Sequence, residues 1–348
     1  MHQMIKTGSS TRRGLRSRFA SAGATIFVIS GALFGVAAGP GAPAASAATR
    51  TAAASKFTFV LIPGLTVDPF YITMHVGAAA EAAKLGVTLK WEGATTFAPT
   101  TQIPVVNSVL ASKPNALLIA PTDDVALFNP IDAYVKAGIP VVAVDTTLKN
   151  TSILTAAISS DNYQGGEVAA DTIAKLAHDK GDVAVINVTK GISTTDLRQA
   201  GFLAEMKKYP NMKVVATDYD SDNPTTAETQ ARGIILANPN LVGIFGTNLY
   251  SAEGAGKGVE AAGDKGKIFV AGYDAEPAEV QFLKSGLVNV LVIQNPAAEG
   301  EMAVMDAYDA LTGDKSMIKK SVLLPNVVAT TANANNPSIS KYYYKTSF

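Results

Sequence analysis

Cysteine is absent from the 348 residues of this sequence. Disulfide bonds, thiol catalysis, iron–sulfur clusters and a lipid-anchored N-terminal cysteine are therefore excluded. Histidine is scarce too, since only His2, His75 and His178 occur, far apart along the chain. They provide neither a metal-ligand spacing nor a histidine-based catalytic triad. We therefore expect a protein that is not an enzyme and that holds no cofactor and no metal ion.

Negative charge is absent from residues 1–47. This region has clustered arginines, then a mildly apolar stretch over 19–38 and the small-residue site Ala45-Ser46-Ala47. That order is typical of a cleavable signal peptide, so we predict that residues 1–47 are removed on export. The interrupted apolarity disfavours the alternative of a retained membrane helix. The pair Arg12-Arg13 leaves both the twin-arginine and the general export route open.

The charge that remains after export excludes a nucleic-acid surface. The whole chain has 29 Lys and Arg against 29 Asp and Glu, and residues 1–47 contain five of the basic residues and no acidic one. The mature part therefore has 24 basic and 29 acidic residues, a net charge of −5. Nucleic-acid binding requires a basic surplus. We expect a soluble, extracytoplasmic protein without a nucleic-acid partner.

From residue 57 onward, apolar β-prone runs alternate with helical patterns. The predicted strands cover 57–62, 87–91, 116–120, 141–144, 154–158, 182–188, 213–217, 241–245, 267–271, 288–293 and 320–324. The predicted helices cover 69–85, 101–112, 126–137, 163–178, 195–208, 225–237, 251–262, 276–285 and 297–312. Such alternation is typical of α/β folds in which helices cover both faces of a parallel sheet.

A weak internal repeat indicates two similar domains. Pro114-Asn115-Ala116 precedes one apolar strand, and Pro239-Asn240-Leu241 precedes another, 125 residues later. Val144-Asp145 likewise corresponds to Tyr273-Asp274, 129 residues later. We predict two doubly wound parallel-sheet domains with a ligand cleft at the strand ends.

The stretch Asp68-Pro69-Phe70-Tyr71 follows the first predicted strand and opens the first helix. Asp is a good N-cap and Pro fits the first helical turn. Phe70 and Tyr71 therefore lie at a strand-to-helix turn, where ligands of open α/β sheets bind. The alternative is that both rings are core residues of the first helical turn.

Polar residues follow other predicted strands in the same way. They are Thr122, Asp123, Asp145, Arg198, Asn248, Asp274 and Gln294, with Tyr250 and Tyr273 nearby. A hydroxyl group both donates and accepts hydrogen bonds; carboxylates accept, arginine donates, and amides do both. This mixture suits a polyhydroxyl ligand, whose C–H surface aromatic rings would cover. Taken singly, each of these residues could instead be a helix cap, a surface ion-pair partner, a loop residue or a packing residue.

Together these motifs resemble the periplasmic-type sugar-binding proteins of ABC importers, the ribose/galactose-binding group. The resemblance covers 56–348. It is carried by Asp68-Pro69-Phe70-Tyr71, Val144-Asp145, the segment 160–166 (SDNYQGG), Arg198 with Gly201-Phe202, Gly272-Tyr273-Asp274 and Gln294-Asn295-Pro296.

The resemblance implies a type I periplasmic binding protein fold, with two lobes joined by a three-segment hinge near 159, 293 and 323. The first lobe would comprise 56–159 plus 294–323, and the second 160–293 plus 324–348. Stacking on the ligand would come from Phe70 and Tyr71. The hydroxyl-binding residues would be Asp68, Asp145, Arg198, Asn248, Asp274 and Gln294.

The chain departs from the family pattern at two places. Leu249 stands where an acidic residue is common, and Asp222-Asn223 replaces a frequent second aromatic platform. The departures favour a furanose, a smaller or acyclic polyol, or a relative of autoinducer-2 over a pyranose held between two rings.

We therefore expect a monomeric solute-binding protein that captures a monosaccharide or sugar alcohol and delivers it to an ABC permease. The first alternative is a binding protein for an autoinducer-2-like signal. A secreted glycosidase using Asp145 and Asp274 is disfavoured, because Arg198 would keep both carboxylates ionised. A ligand-sensing repressor core is disfavoured by the export signal and by the lack of an N-terminal DNA-binding segment.

Overall fold

Strands and helices alternate along the described part of the chain, as the sequence predicts. The computed structural model describes residues 56–348, so the predicted signal peptide lies outside the described residues. The strands are β1 (Phe57–Ile62), β2 (Val87–Trp91), β3 (Ala116–Ile119), β4 (Val141–Val144), β5 (Ala156–Ser160), β6 (Gly181–Asn187), β7 (Met212–Tyr219), β8 (Leu241–Gly246), β9 (Phe269–Tyr273), β10 (Val290–Ile293), β11 (Ser321–Leu324) and β12 (Val327–Thr330). The helices are α1 (Pro69–Leu85), α2 (Pro99–Ala111), α3 (Phe128–Lys136), α4 (Asn162–Leu176), α5 (Ser193–Met206), α6 (Pro224–Ala237), α7 (Leu249–Ala262), α8 (Pro277–Ser285), α9 (Pro296–Thr312) and α10 (Pro337–Ser340).

Within 56–348, the strands form two six-stranded sheets of the same strand order. The first runs β2-β1-β3-β4-β5-β11 and the second β7-β6-β8-β9-β10-β12. All pairs of the first sheet are parallel, and so are those of the second except β10 with β12. Each sheet with its packed helices is called a lobe below. The predicted fold class, two doubly wound α/β units related by a repeat, is confirmed.

The central strands of both sheets are buried along their length. Val141–Val144 of β4 and Val290–Ile293 of β10 have no exposed surface, and the last four residues of β1 are at most 1% exposed. Strands covered by helices on both faces show such continuous apolar runs. Helix α9 packs against α1 on the first sheet, and α4 packs against α5 on the second. The polar groups at the strand ends are therefore attached to two sheets whose central strands are buried and covered by packed helices.

The chain passes between the two sheets at three places along the strand order. It leaves the first sheet after Ser160, returns after Ile293, and leaves again between Leu324 and Val327. Among residues 56–348, no helix combines the length and apolarity that crossing a bilayer requires.

Strand β12 and helix α10 were not expected from the sequence. Val327–Thr330 pairs antiparallel with β10, with Val290 opposite Thr330. Only two residues separate β12 from β11, so no helical pattern lies between them to mark the change of sheet. The alternation of strand and helix, which predicts the other strands, carries no signal for this one.

Candidate functional site

The lobes face each other across a cavity at the strand ends. Its empty space is about 420 Å³, part of it open to solvent. All eight residues that the sequence predicts as ligand-binding line it, namely Asp68, Phe70, Tyr71, Asp145, Arg198, Asn248, Asp274 and Gln294. The other lining residues are Phe97, Val188, Ile192, Thr194, Thr195, Asp222 and Leu249. Contact of any of them with a ligand stays a prediction.

The start of α1 places two aromatic rings and two carboxylates together. Asp68 caps the helix, since its Oδ1 accepts a hydrogen bond from the Phe70 N–H at 2.7 Å. The Phe70 and Tyr71 rings pack edge to face with centroids 5.0 Å apart. The Tyr71 hydroxyl donates to Asp145 Oδ2 at 2.6 Å, which joins the β1 and β4 ends. Both rings are buried, yet both also line the cavity.

Gly64, in the loop before α1, allows the Phe97 and Tyr71 rings to lie close to the backbone. A Cβ at this position would lie 2.3 Å from a Phe97 ring carbon and 2.7 Å from the Tyr71 hydroxyl. Any side chain there would displace one of the two rings. The breaker Pro63-Gly64 therefore has a packing role as well as a turn role.

Asp145 and Asp274 occupy equivalent positions of the two lobes, directly after β4 and β9. Both have positive φ, +60° and +87°. Asp and Asn tolerate this left-handed region better than most residues. The conformation turns both buried carboxylates toward the cavity.

Arg198, on α5, is the one basic side chain among the lining residues. Its Nε donates to Asn162 Oδ1 at 2.8 Å and its Nη1 to the Thr247 carbonyl at 2.9 Å. Nη1 also lies 4.0 Å from Asp274 Oδ2. The guanidinium carbon is 3.7 Å from the Tyr273 ring centroid. Stacking and hydrogen bonds hold the group flat, and its remaining N–H donors are available to a ligand.

The α7 start contributes an amide and a further carboxylate. Asn248 caps α7 by accepting from the Ser251 N–H at 3.0 Å, and its Nδ2 donates to Asp222 Oδ1 at 2.7 Å. Asp222 has φ +61°, and Asp220 Oδ1 accepts its backbone N–H at 2.7 Å. The loop after β7 is thereby fixed against the cavity.

Gln294 and Tyr344 both donate to Asp274 Oδ1, at 2.6 and 3.0 Å. Gln294 Oε1 is buried and finds no partner among residues 56–348, and the same holds for Thr195 Oγ1. Both residues line the cavity. Unpaired buried polar atoms are costly, so a polar partner in the cavity would stabilise both atoms.

Burial changes the acidity of the cavity carboxyls. Desolvation raises the pKa of Asp145 to about 6, although Arg198 and the Tyr71 hydroxyl act in the opposite direction. Desolvation likewise raises the pKa of Asp222 to about 6 and that of Asp68 well above its usual value. Desolvation thus outweighs the attraction of Arg198 at Asp145, but a pKa of about 6 still leaves this carboxyl mostly ionised at neutral pH, in the direction expected from Arg198.

The remaining sequence candidates have structural roles. Tyr273 stacks under Arg198 and donates to Asn326 Oδ1 at 3.0 Å. Tyr250 packs against the core. Thr122 bonds to Gln102 Oε1 at 2.9 Å, and Asp123 caps the turn at 125–126.

Sequence reasoning missed Phe97 and Tyr344 as parts of the site and treated Asp222 only as a departure from the family pattern. Phe97 lies in the loop between β2 and α2 rather than directly after a strand. For Asp222 a signal was available, since it follows strand β7 as the other candidates follow theirs. Tyr344 lies beyond the strand–helix repeat altogether.

The two lobes touch beside the cavity. The Asp124 N–H, after β3, donates to the Gly191 carbonyl, after β6, at 2.9 Å. The Thr147 N–H donates to Ser193 Oγ on α5, also at 2.9 Å. Each bond joins a loop of the first lobe to the second lobe, so the two lobes are in contact on this side of the cavity. Within the described chain, no group of three or more acidic or histidine side chains has the arrangement of a metal site.

Comparisons with known proteins agree with this architecture. A family model described as a periplasmic binding protein domain matches residues 59–315. The ribose import binding protein of Salmonella typhimurium is 29% identical over 287 residues, covering 82% of this chain and 96% of that protein. The D-allose-binding periplasmic protein of Escherichia coli is 27% identical over 270 residues, covering 75% and 86%.

Solved structures are similar over the same range. An ABC transporter solute-binding protein from Agrobacterium vitis, bound with α-D-tagatopyranose, has a TM-score of 0.81 and 41% identity, covering 83% of this chain and all of that one. A carbohydrate transporter solute-binding protein from Agrobacterium radiobacter, in complex with D-arabinose, has a TM-score of 0.79 and 31% identity, covering 83% and 99%. With the two-lobed fold and the cavity between strand ends, these matches establish that the chain belongs to the periplasmic binding protein family.

Proposed function

We propose that the protein captures a monosaccharide or a sugar alcohol in the cavity and delivers it to an ABC permease. The observation that carries this proposal is the donor and acceptor balance of the lining. Four carboxylates, two amides and one guanidinium surround one space, together with the Phe70 and Phe97 rings. The acidic excess disfavours an anion, whereas hydroxyl groups can satisfy every member of the set. The sugars bound by the two Agrobacterium proteins belong to the same chemical class.

Closure is the step that couples binding to transport. Asp68 and Asp145 belong to the first lobe, and Arg198, Asn248 and Asp274 to the second. A ligand bonded to both sets stabilises the closed form over the open one, and only this difference can shift the equilibrium. We propose the lobe bounds 56–160 plus 294–324 and 161–293 plus 325–348, one residue later than the sequence prediction at two of the hinge segments, because Ser160 and Leu324 pair in the first sheet.

We infer the compartment in which the protein acts from its family and from the sequence of residues 1–47. Periplasmic binding proteins act outside the cytoplasm, and we propose that residues 1–47 direct export and are cleaved. The protein would act as a monomer whose closed form contacts the permease. Selectivity would be high, because a deoxy analogue leaves a buried polar group unpaired and loses up to ~10⁴ in affinity.

A glycosidase is the second candidate, since the Asp145 pKa of about 6 would permit an acid role. Members of this family are binding proteins, and the Asp145 carboxyl is already engaged by the Tyr71 hydroxyl. An autoinducer-2-like polyol remains a second ligand class for the same cavity. Incubation with a panel of glycosides separates the enzyme from the binding protein, because only an enzyme releases free sugar.

Thermal unfolding in the presence of candidate ligands tests the proposal. The panel comprises D-tagatose, D-ribose, D-allose, D-arabinose, myo-inositol and an autoinducer-2 analogue. A ligand at 100 times its dissociation constant stabilises the protein by ~2.7 kcal/mol. We expect at least one sugar or polyol to raise the unfolding temperature by several degrees. No shift with any sugar or polyol at millimolar concentration would contradict the proposal.

A further inference from the structure

The last described residues, 344–348, pass from the second lobe to the first and are called the strap here. At its start, the Tyr344 N–H donates to the Ala275 carbonyl at 3.0 Å, just after β9 of the second sheet. The next residue bonds to the other lobe, since the Lys345 N–H donates to Thr73 Oγ1 on α1 at 2.6 Å. Two successive backbone N–H groups therefore bind different lobes. This is a fourth passage between the lobes, beyond the three predicted ones.

The far end of the strap packs on the first lobe. The Phe348 ring centroid lies 4.3 Å from that of His75 and 5.6 Å from that of Trp91. His75 is on α1 and Trp91 ends β2, so both belong to the first lobe. The strap is thus anchored by one hydrogen bond and one aromatic cluster on this side.

Tyr344 itself forms part of the wall behind the ligand site. It is 5% exposed and its ring packs edge-on against Phe70, with centroids 5.6 Å apart. Its hydroxyl donates to Asp274 Oδ1 at 3.0 Å and accepts from the Gln294 N–H at 3.4 Å. With Gln294 Nε2 on the same oxygen, Asp274 Oδ2 is left to face Arg198, 4.0 Å away. Tyr344 therefore fixes which oxygen Asp274 presents.

We propose that Tyr344 is a positioning residue that sets the orientation of Asp274, and that the strap it begins holds the two lobes together. The lobes cannot rotate apart at this point without breaking either the bond to Ala275 or the bond to Thr73. The strap therefore favours the closed form before any sugar binds and reduces the conformational cost of binding. The part concerning Asp274 rests on the proposed function, whereas the part concerning the lobes does not.

Spin-label distances test the strap without any ligand. Because the chain has no cysteine, Thr95→Cys and Thr225→Cys give two unique label sites at exposed positions, one on each lobe near the cavity. Thr73→Val removes the hydrogen bond from the strap to the first lobe. We expect this change to raise the population of open molecules, seen as long distances between the two labels, by about two- to tenfold, as for the loss of one hydrogen bond.

The matched control is Thr172→Val on α4. Thr73 Oγ1 also donates to the carbonyl four residues before it, and Thr172 Oγ1 makes the same bond without contacting the strap. Phe348→Ala should also raise the population at long label distances. Because Phe348 is 67% exposed, this variant tests the strap even if Thr73→Val does not fold. If Thr73→Val and Phe348→Ala both give the same distance distribution as Thr172→Val, the strap does not hold the lobes together and the proposal is refuted.

Tyr344→Phe tests the positioning role, with Tyr343→Phe as its control. Phe keeps the ring against Phe70 and removes only the hydroxyl, whereas the Tyr343 hydroxyl bonds to the Ala334 carbonyl away from the cavity. Affinity is measured by calorimetry for the strongest binder among D-tagatose, D-ribose, D-allose and D-arabinose, and for its monodeoxy analogues. We expect Tyr344→Phe to weaken the parent sugar about tenfold and Tyr343→Phe to leave it unchanged.

The deoxy analogues separate positioning from general damage. The analogue lacking the hydroxyl that Asp274 binds should lose little further affinity in Tyr344→Phe, because the two changes remove the same interaction. An equal loss for the parent sugar and every analogue would overturn the positioning role. If the unaltered protein binds no sugar or polyol of the thermal-unfolding panel, the proposed function and the role of Tyr344 are both refuted, and the spin-label distances alone test whether the strap holds the lobes together.

Discussion

Arg198 is the residue on which the charge balance of the cavity depends. It is 3% exposed and its surroundings include Asp145 and Asp274. We predict that Arg198→Ala lowers sugar affinity by at least ~100-fold, because the buried carboxylates lose the one basic side chain among the described lining residues and the ligand loses a donor. The other arginine of residues 56–348, Arg232, is exposed on α6 and provides the control Arg232→Ala. Calorimetry with both variants checks this, and equal affinities would contradict it.

Asp145 and Asp222 make binding sensitive to pH. Their pKa values are raised to about 6, so both protonate as the pH falls through this value, which turns one acceptor oxygen of each into a donor and weakens the bonds accepted from hydroxyls. We predict that sugar affinity falls below pH 6, about tenfold per pH unit for each carboxylate that must be ionised. Titrations between pH 4.5 and 8 measure this. An affinity that is constant or rises toward acid pH would refute the prediction.

At the residue scale, the sequence predicted most of the site residues that follow strand ends, with Asp222 as an exception, and missed Phe97 and Tyr344, which do not follow strand ends. Asp145 and Asp274 could be found because each directly follows an apolar strand. Phe97 and Tyr344 approach the cavity through loop and tail conformation, which no periodicity encodes. The raised pKa of Asp145 could not be predicted from the sequence, because burial in the assembled cavity, and not the neighbouring charge alone, determines it.

The α1 segment shows which features of an element the sequence contains. Asp68-Pro69 predicts its start and Gly86 its end, and both are observed, with Asp68 as N-cap and Gly86 at φ +66°. Strand β12 was missed because it joins its sheet without an intervening helix. Cap and breaker residues thus predict where a helix begins and ends. The sheet to which a strand belongs can be predicted only where strands and helices alternate.

The loop before α1 provides a prediction at the element scale. We expect Gly64→Ala to weaken sugar binding about tenfold or more, because its Cβ would displace Phe97 or Tyr71. The control is Gly233→Ala on α6, where a Cβ meets nothing within 4 Å. Gly233→Ala should leave affinity unchanged and stabilise the helix by about 0.5–1 kcal/mol. Calorimetry and urea unfolding of both variants measure these effects, and tight binding by Gly64→Ala would contradict the packing role.

The whole molecule carries a set of buried carboxyl groups with raised pKa values. Desolvation raises the pKa of Asp145, Asp220, Asp222 and Asp306 to about 6 and that of Glu253 to about 7. Between pH 4 and 6 the folded chain therefore binds more protons than the unfolded chain, so stability decreases as the pH rises through this window. Each fully buried group contributes about 3 kcal/mol at most.

We therefore predict that the sugar-free protein is more stable at pH 5 than at pH 7.5, by several kcal/mol. Asp220→Asn should reduce this difference, because it removes one of the titrating groups at a position with no exposed surface. Urea unfolding at the two pH values measures both effects. A protein that is equally stable at both, or more stable at pH 7.5, would show that these carboxyls are ionised in the folded state.

Two lobes of equal topology present polar groups to one cavity, and the proposed role of a hydroxylated ligand is to hold them closed. The most direct test is a crystal structure of the protein grown with the sugar or polyol that raises its unfolding temperature most. We predict that the ligand lies in the cavity, with hydroxyls bonded to Asp145 of the first lobe and to Arg198 and Asp274 of the second. A ligand bound elsewhere, or bonded to one lobe alone, would contradict it.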